Sequence, residues 1–288
     1  MYAFLVAPFL DYGFMRRALV ACFALAIACG PVGVLLLLRR MSLTGDAMAH
    51  AVLPGVAVGF LLAGASALAM GLGGLVAGLA VALLAGVVTR TTLLREDASF
   101  AAFYLISLAL GVMIVSLHGS SVDLTHMLFG TVLAVDDATL LLMASISTVT
   151  VLTMAATYRA LIVESFDPGF LRAVQGRGAF YHLLFLVLVV LNLVAGFQAH
   201  GTLMAVGLMM LPAAAARFWA QNVWTMSAAS MGIAFGSGLI GLLLSFHLGA
   251  PSGPAVVLTA GAAYAISVIA GRRGGLVHRY LRTPHLQG

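Results

Sequence analysis

Lysine is absent from this chain, charged residues of any kind make up only 8% of its 288 positions, and just 9 of those are acidic. A soluble domain carries roughly a quarter charged residues, so the composition excludes one. Mean hydropathy of +1.12 places the chain in lipid instead. The basic pI near 9.7 comes entirely from 14 arginines that fall in short gaps between apolar runs. Residues so spaced set membrane orientation, and no nucleic-acid partner is expected of them. No GxxxxGK[ST] loop is present, so the chain is not itself an ATPase. None of the 8 histidines is followed by glutamate, which removes the HExxH zinc-hydrolase motif.

Cysteine is scarce too. Cys22 and Cys29 share the first long apolar run. Seven helical residues separate them by about 10 Å, too far for a disulfide, so they read as small packing residues. Met1–Leu10 is apolar but short, with neither a basic segment nor a cleavage-like site. The first long run is therefore expected to stay in the mature protein.

A helix needs roughly 20 apolar residues to cross the hydrocarbon core. Runs at 14–38, 47–67, 69–89, 99–118, 138–157, 179–197, 202–220, 227–247 and 254–271 qualify, with a shorter piece at Leu124–Val135. The expectation is an all-α, polytopic integral membrane bundle of eight or nine spans, forming one domain over 1–288. Alternate gaps hold Arg39 and Arg40, Arg90 and Arg95, Arg159, Arg172 and Arg177, Arg217, and Arg272 to Arg282; the opposite gaps hold none. By the positive-inside rule the Arg-rich side and the C-terminus are cytoplasmic. Arg16 and Arg17 break the pattern. The other face gathers His118, Asp123, His126, Asp136, Asp137, His200 and His247, a mouth whose carboxylates and imidazoles would attract a cation.

Within the apolar body one acidic residue stands out. Asp46 precedes His50 by four residues in RRMSLTGDAMAHAVLPG. A helix puts that pair on one face, and ionisable groups inside a membrane segment mark a pathway. One oxygen and one nitrogen donor suit a divalent transition metal. Pro54 withholds the hydrogen bond that the His50 carbonyl would receive, and Pro212 does the same to Leu208. Interruptions of this kind free backbone for a cavity. Small-residue pairs at Gly55/Gly59, Gly74/Gly78 and Gly232/Gly236 permit close helix approach. In the gap after Arg159, Asp167 can cap a short helix begun by Pro168 and ended by Gly176, with Phe170, Leu171 and Val174 on one face. Such an amphipathic segment fits a groove on a partner.

Three stretches then carry a resemblance over nearly the whole chain. They are RRMSLTGDAMAHAVLPGVAVGF (Arg39–Phe60), ESFDPGFLRAVQG (Glu164–Gly176), and GTLMAVGLMMLPAAAA (Gly201–Ala216) together with APSGPAVVL (Ala250–Leu258). Asp123 and Leu128-Phe129-Gly130 also fit a DLxxxLFG pattern. The chain resembles the permease subunits of bacterial ABC importers for zinc, manganese or iron(II), those served by cluster A-I metal-binding proteins.

The resemblance implies a type II importer-like fold in the cytoplasmic membrane, with Asp46 and His50 on the metal path between two permease copies. It makes 164–176 the coupling helix, with Glu164, Phe166, Asp167, Pro168, Phe170 and Arg172 meeting the ATPase. The implied partners are a second copy, two cytoplasmic ATPase subunits that use the ATP, a periplasmic or surface metal-binding protein, and membrane lipid. No permanent cofactor is implied beyond the transported metal. His200 stands where relatives often carry a small or aliphatic residue, and His247-Leu248-Gly249-Ala250 replaces an acidic residue before Pro-Ser-Gly-Pro. Asp123, His126, His200 and His247 are therefore candidate contacts at the outer mouth.

Zinc ranks first, on the number of imidazoles near that mouth; manganese and iron(II) follow. An ATP-independent secondary transporter would place charges in several spans, whereas only one here has a carboxylate. A permease for iron chelates or cobalamin would have no evident use for the Asp–His pair.

Overall fold

The computed structural model describes residues 6–64, 66–94, 96–117, 135–167, 170 and 178–281, and among these it is helical without a strand. The helices run α1 (Ala7–Asp11), α2 (Gly13–Leu38), α3 (Ser42–Ala51), α4 (Leu53–Ala63), α5 (Ala67–Thr91) and α6 (Glu96–Leu117). They continue as α7 (Asp137–Phe166), α8 (Gly178–His200), α9 (Thr202–Ala216), α10 (Val223–Leu248), α11 (Ser252–Ala270) and α12 (Leu276–Leu281).

Seven described segments are long and apolar enough to cross a membrane: Gly13–Leu38, Ser42–Ala63, Leu68–Thr89, Asp137–Phe166, Gly178–Phe197, Val223–Leu248 and Ser252–Ala270. The other two expected runs give shorter apolar helices, Ala98–Ile114 and Thr202–Ala216. Thus the eight or nine full spans expected are not reached by length among the described residues. In the second case the helix stops at Ala216, and the Phe218 and Trp219 amides turn back onto the Ala215 and Ala216 carbonyls. Leu124–Leu133, the bulk of the short apolar piece, lies outside the described residues, as do Asp123 and His126.

Helix α2 is the hub, packing against α7, α9 and α10. Its residues from Ala18 to Leu36 are largely sealed from solvent, and Pro31 sits within it without ending it. Leu62, Leu141 and Leu258 are more than 70% exposed on the outside of the bundle. Exposed apolar surface on that scale is the face a lipid-embedded helix presents.

Polar groups inside the bundle are used locally. Asn192 is sealed and donates to the Thr150 hydroxyl at 2.9 Å and to the Leu188 carbonyl at 2.8 Å. At the start of α7, Asp136 accepts the Thr139 amide at 2.8 Å. That cap holds the Asp136 carboxyl below the usual carboxylate range, with a smaller contribution from Arg17. Arg17 also lies 3.4 Å from Asp137. Arg17, one of the two arginines that break the orientation pattern, thus stands beside two carboxylates, which answer part of its charge.

Glycines set how closely α4 and α5 cross. A Cβ on Gly55 would overlap the Gly73 carbonyl, and one on Gly73 would overlap the Gly55 carbonyl. Gly74 and Gly78 admit Val52, Val56 and Val190. Gly232 and Gly236, read from sequence as another close pair, face open space.

Candidate metal-ligating site

The site begins with a turn. Helix α2 closes when the Arg40 amide bonds to Leu37 at 3.1 Å and the Met41 amide to Leu36 at 3.0 Å. This is a Schellman closure, whose left-handed residue is usually glycine. Here it is Arg40, at φ 59°. A side chain held there costs roughly 1–2 kcal/mol. Arg40→Gly is accordingly expected to raise thermal stability by about 1 kcal/mol, read as a higher melting point of the purified chain in detergent.

The turn launches α3, which carries Asp46 and His50 on one face. His50 Nε2 lies 3.9 Å from Asp46 Oδ1. That is too long for a hydrogen bond. Two donors bound to one transition metal at about 2.0–2.2 Å each sit roughly 3–3.5 Å apart, so a small rotation of either side chain suffices to share an ion. The Asp46 side chain is 61% exposed and that of His50 30%. The inner nitrogen of His50, Nδ1, is buried without a hydrogen-bond partner.

Pro54 follows a break between α3 and α4 as expected, yet the backbone does not unwind there: Val52, between the two helices, keeps helical angles of −72° and −28°. Ser107 of α6 donates to the Ala51 carbonyl at 2.9 Å, and Gly111 lies flush against Pro54. Pro212 differs. It lies inside α9, which runs on through Ala216, so its missing N–H takes one bond from Leu208 without breaking the helix.

The pair opens into a cavity of about 370 Å³ shared by α3, α9 and α11. Thr202, Val206, Met210 and Val257 line it with Asp46 and His50. Met210 reaches α3 because Gly45 has no Cβ in its way. Tyr104 of α6 stands with its ring 6.1 Å from that of His50. Tyr104 and Thr202 were not singled out from sequence. Thr202 lay inside a quoted motif and could have been, whereas a lone tyrosine in an apolar run gives no signal.

The remaining candidates scatter. His247 is exposed in the last turn of α10, against the Phe246 ring, and does not line the cavity. His200 closes α8, two residues before Thr202. Asp123, His126, Pro168 and Arg172 fall outside the described residues. No cluster of three or more histidine, cysteine or acidic side chains forms among those described.

Of the expected helix at 164–176, only Glu164–Asp167 and Phe170 are among the described residues. Helix α7 continues without a break to Phe166, because nothing before Pro168 opposes it and the residue preceding proline disfavours the helical state. Glu164 is 5% exposed and is packed within the chain. Asp167 accepts the Phe170 amide at 2.9 Å, the cap bond anticipated for it. Phe166 and Phe170, on either side, are 64% and 56% exposed.

Comparison with known proteins finds relatives over nearly the whole chain. The sequence pattern of the ABC 3 transport family matches residues 11–271. The manganese import system permease protein ScaB of Streptococcus parasanguinis is 33% identical over 267 residues, 91% of this chain and 94% of that protein. The manganese transport system membrane protein MntC of Halalkalibacterium halodurans is 31% identical over 274 residues, covering 95% and 92%. Among solved structures, PsaBC from Streptococcus pneumoniae in complex with a Fab superposes with a TM-score of 0.86 at 30% identity, across 97% of this chain and 100% of that one.

Proposed function

The chain is a multi-pass membrane protein that belongs to the ABC 3 transport family, and on that premise we propose that it forms the membrane path of an ATP-driven manganese importer. The observation that carries this reading is the Asp46–His50 pair, 3.9 Å apart, at the wall of a half-open cavity in the side of an otherwise apolar bundle. Replacing part of an ion's water shell needs donors, yet too many would hold it and stall release. Two donors per chain, doubled across an axis between two copies, meet both demands. A second copy also answers a cost: Asp46 is exposed on α3 beside Leu43, which is 74% exposed, and a carboxylate facing lipid is expensive.

Manganese replaces zinc as the first choice. The zinc ranking rested on the number of imidazoles near the mouth, and of these His247 does not line the cavity. Two of the most similar relatives are named for manganese. An oxygen-rich site of carboxylate, hydroxyl and imidazole suits that ion as well.

The chain works as a channel-forming subunit of the bacterial cytoplasmic membrane, with separate ATPase subunits on its Arg-rich face and a metal-binding protein on the other. Phe166 and Phe170 are the aromatic anchors for the ATPase, exposed on either side of the Asp167 cap. Truncating an aromatic anchor in such an interface costs about 2 kcal/mol or more. The Phe166→Ala/Phe170→Ala double variant is therefore expected to lose ATPase subunits on co-purification while the chain itself stays in the membrane; full retention would remove these residues from the interface.

The reading is tested by reconstituting the chain with its ATPase subunits and metal-binding protein in liposomes and following manganese, zinc and iron(II) entry. ATP-dependent entry led by manganese is the expected result. Entry without ATP would point to a secondary transporter, and entry led by zinc would restore the ranking from sequence.

A further inference from the structure

Arg39 was read from sequence only as a marker of orientation, yet its guanidinium ties the end of α2 to two further helices. Its Nε donates to the Ser165 hydroxyl at 3.0 Å, and Nη2 to the Leu161 carbonyl at 3.4 Å, both in the last turns of α7. Nη1 lies 3.5 Å from His182 Nδ1, and the guanidinium carbon sits 4.1 Å over the ring of Phe185, both on α8. Phe185 is sealed from solvent, and the arginine is half-buried. The Ser165 hydroxyl in turn donates to the Leu161 carbonyl at 2.6 Å, so donor and acceptor are held together.

The position matters more than the bonds. Helices α7 and α8 flank residues 167–177 in the chain, the segment that the proposed function assigns to ATPase docking. Arg39 is also the C-cap of α2. Immediately after it come the Arg40–Met41 closure and α3, with Asp46 seven residues on. The backbone between them has little slack: Arg40 is fixed in the left-handed region, and Met41, bonded to Leu36, is 5% exposed. A displacement of the α7–α8 pair therefore pulls on the start of α3 through a planar, multiply bonded group. Lysine could not reproduce the link, since an ammonium has neither the fork nor the flat face.

We propose that Arg39 is the positioning residue that transmits movement of the ATPase-docking segment to the Asp46–His50 helix. It touches no transported ion. This inference rests on the reading of Asp46 and His50 as the metal path and of 167–177 as the docking segment. Its signature is loss of coupling rather than loss of either activity alone: ATP is still hydrolysed, but fewer ions move per ATP.

The test uses the complete reconstituted transporter, with manganese uptake and ATP hydrolysis measured in the same liposomes. Arg39→Gln and Arg39→Lys are each expected to lower the ions moved per ATP by about 10-fold, with hydrolysis within about twofold of wild type. Phe185→Leu and Ser165→Ala, which leave the arginine in place but strip its seat, are expected to lower the same ratio by about two- to threefold. An unchanged ratio in Arg39→Gln overturns the proposal. So does an unchanged ratio in both milder variants where Arg39→Gln fails to assemble, since the contact then serves folding alone. An Asp46→Ala arm separates the two claims: if that variant moves manganese normally, the metal-path reading fails whatever Arg39 does.

Discussion

Alanine at Asp46 or at His50 is expected to reduce manganese uptake by well over 10-fold while the chain accumulates in the membrane at wild-type levels. Disturbing even the outer partners of a metal ligand costs about 10–100-fold in affinity or activity, and these two side chains are the donors themselves. Two copies would also lose a donor each, so one substitution removes half of a four-donor site. Folding should be spared because neither side chain holds the structure together. Asp46 is exposed and 3.9 Å from His50, and the buried nitrogen of His50 has no partner. Since both residues act on one ion, the double variant should be scarcely worse than either single one. Additive losses would mean that they act at separate points along the path. Radiotracer uptake into membrane vesicles, normalised to the amount of chain, distinguishes these outcomes.

Alanine at Gly55 or Gly73 should fail in the opposite way, by removing the protein rather than its activity. Each new Cβ would overlap a carbonyl of the facing helix. Backbone cannot swing aside as a side-chain tip can, so α4 and α5 must separate along their length. Overpacking costs about 1–3 kcal/mol even where side chains can adjust, and stability as a whole is only about 5–15 kcal/mol. The crossing also sits next to Pro54, so any separation tilts α3 relative to α6 and α9. Membrane yield and melting temperature should both fall. Gly232→Ala and Gly236→Ala, which meet open space, are the controls and should leave both unchanged. Equal loss at all four positions would trace the effect to helix propensity or insertion, not to the crossing.

What could be read from the sequence was what chain-local geometry dictates. Asp46 and His50 share a face because four residues make about one helical turn, and Pro54 withholds a hydrogen bond because it lacks an N–H wherever it stands. Asp167 capped Phe170 for the same local reason. The cavity was not legible, since it needs Thr202, Val206 and Val257 to arrive from helices over 150 residues away. The end of α7 was misplaced because hydropathy stops at the membrane, whereas the helix runs on to Phe166. The resemblance put Glu164 among the residues that meet the ATPase, and only packing reveals that it is buried within the chain. Arg39 carries one charge that serves a topology rule and a guanidinium fork that serves a three-helix contact, and sequence discloses only the first. The glycine pairs make the same point: Gly55 and Gly232 follow the same spacing rule, but only one meets a facing backbone.

The central claim is that Asp46 and His50 pass one particular metal. Total cellular manganese, zinc and iron, measured by mass spectrometry, tests it in a strain lacking the chain and then supplied with wild type, Asp46→Ala or His50→Ala under metal limitation. Manganese should fall selectively without the chain, return with wild type, and stay low with either variant at equal chain abundance. Unchanged metals in the deletion strain, or full recovery with both variants, would make the pair structural and contradict the account.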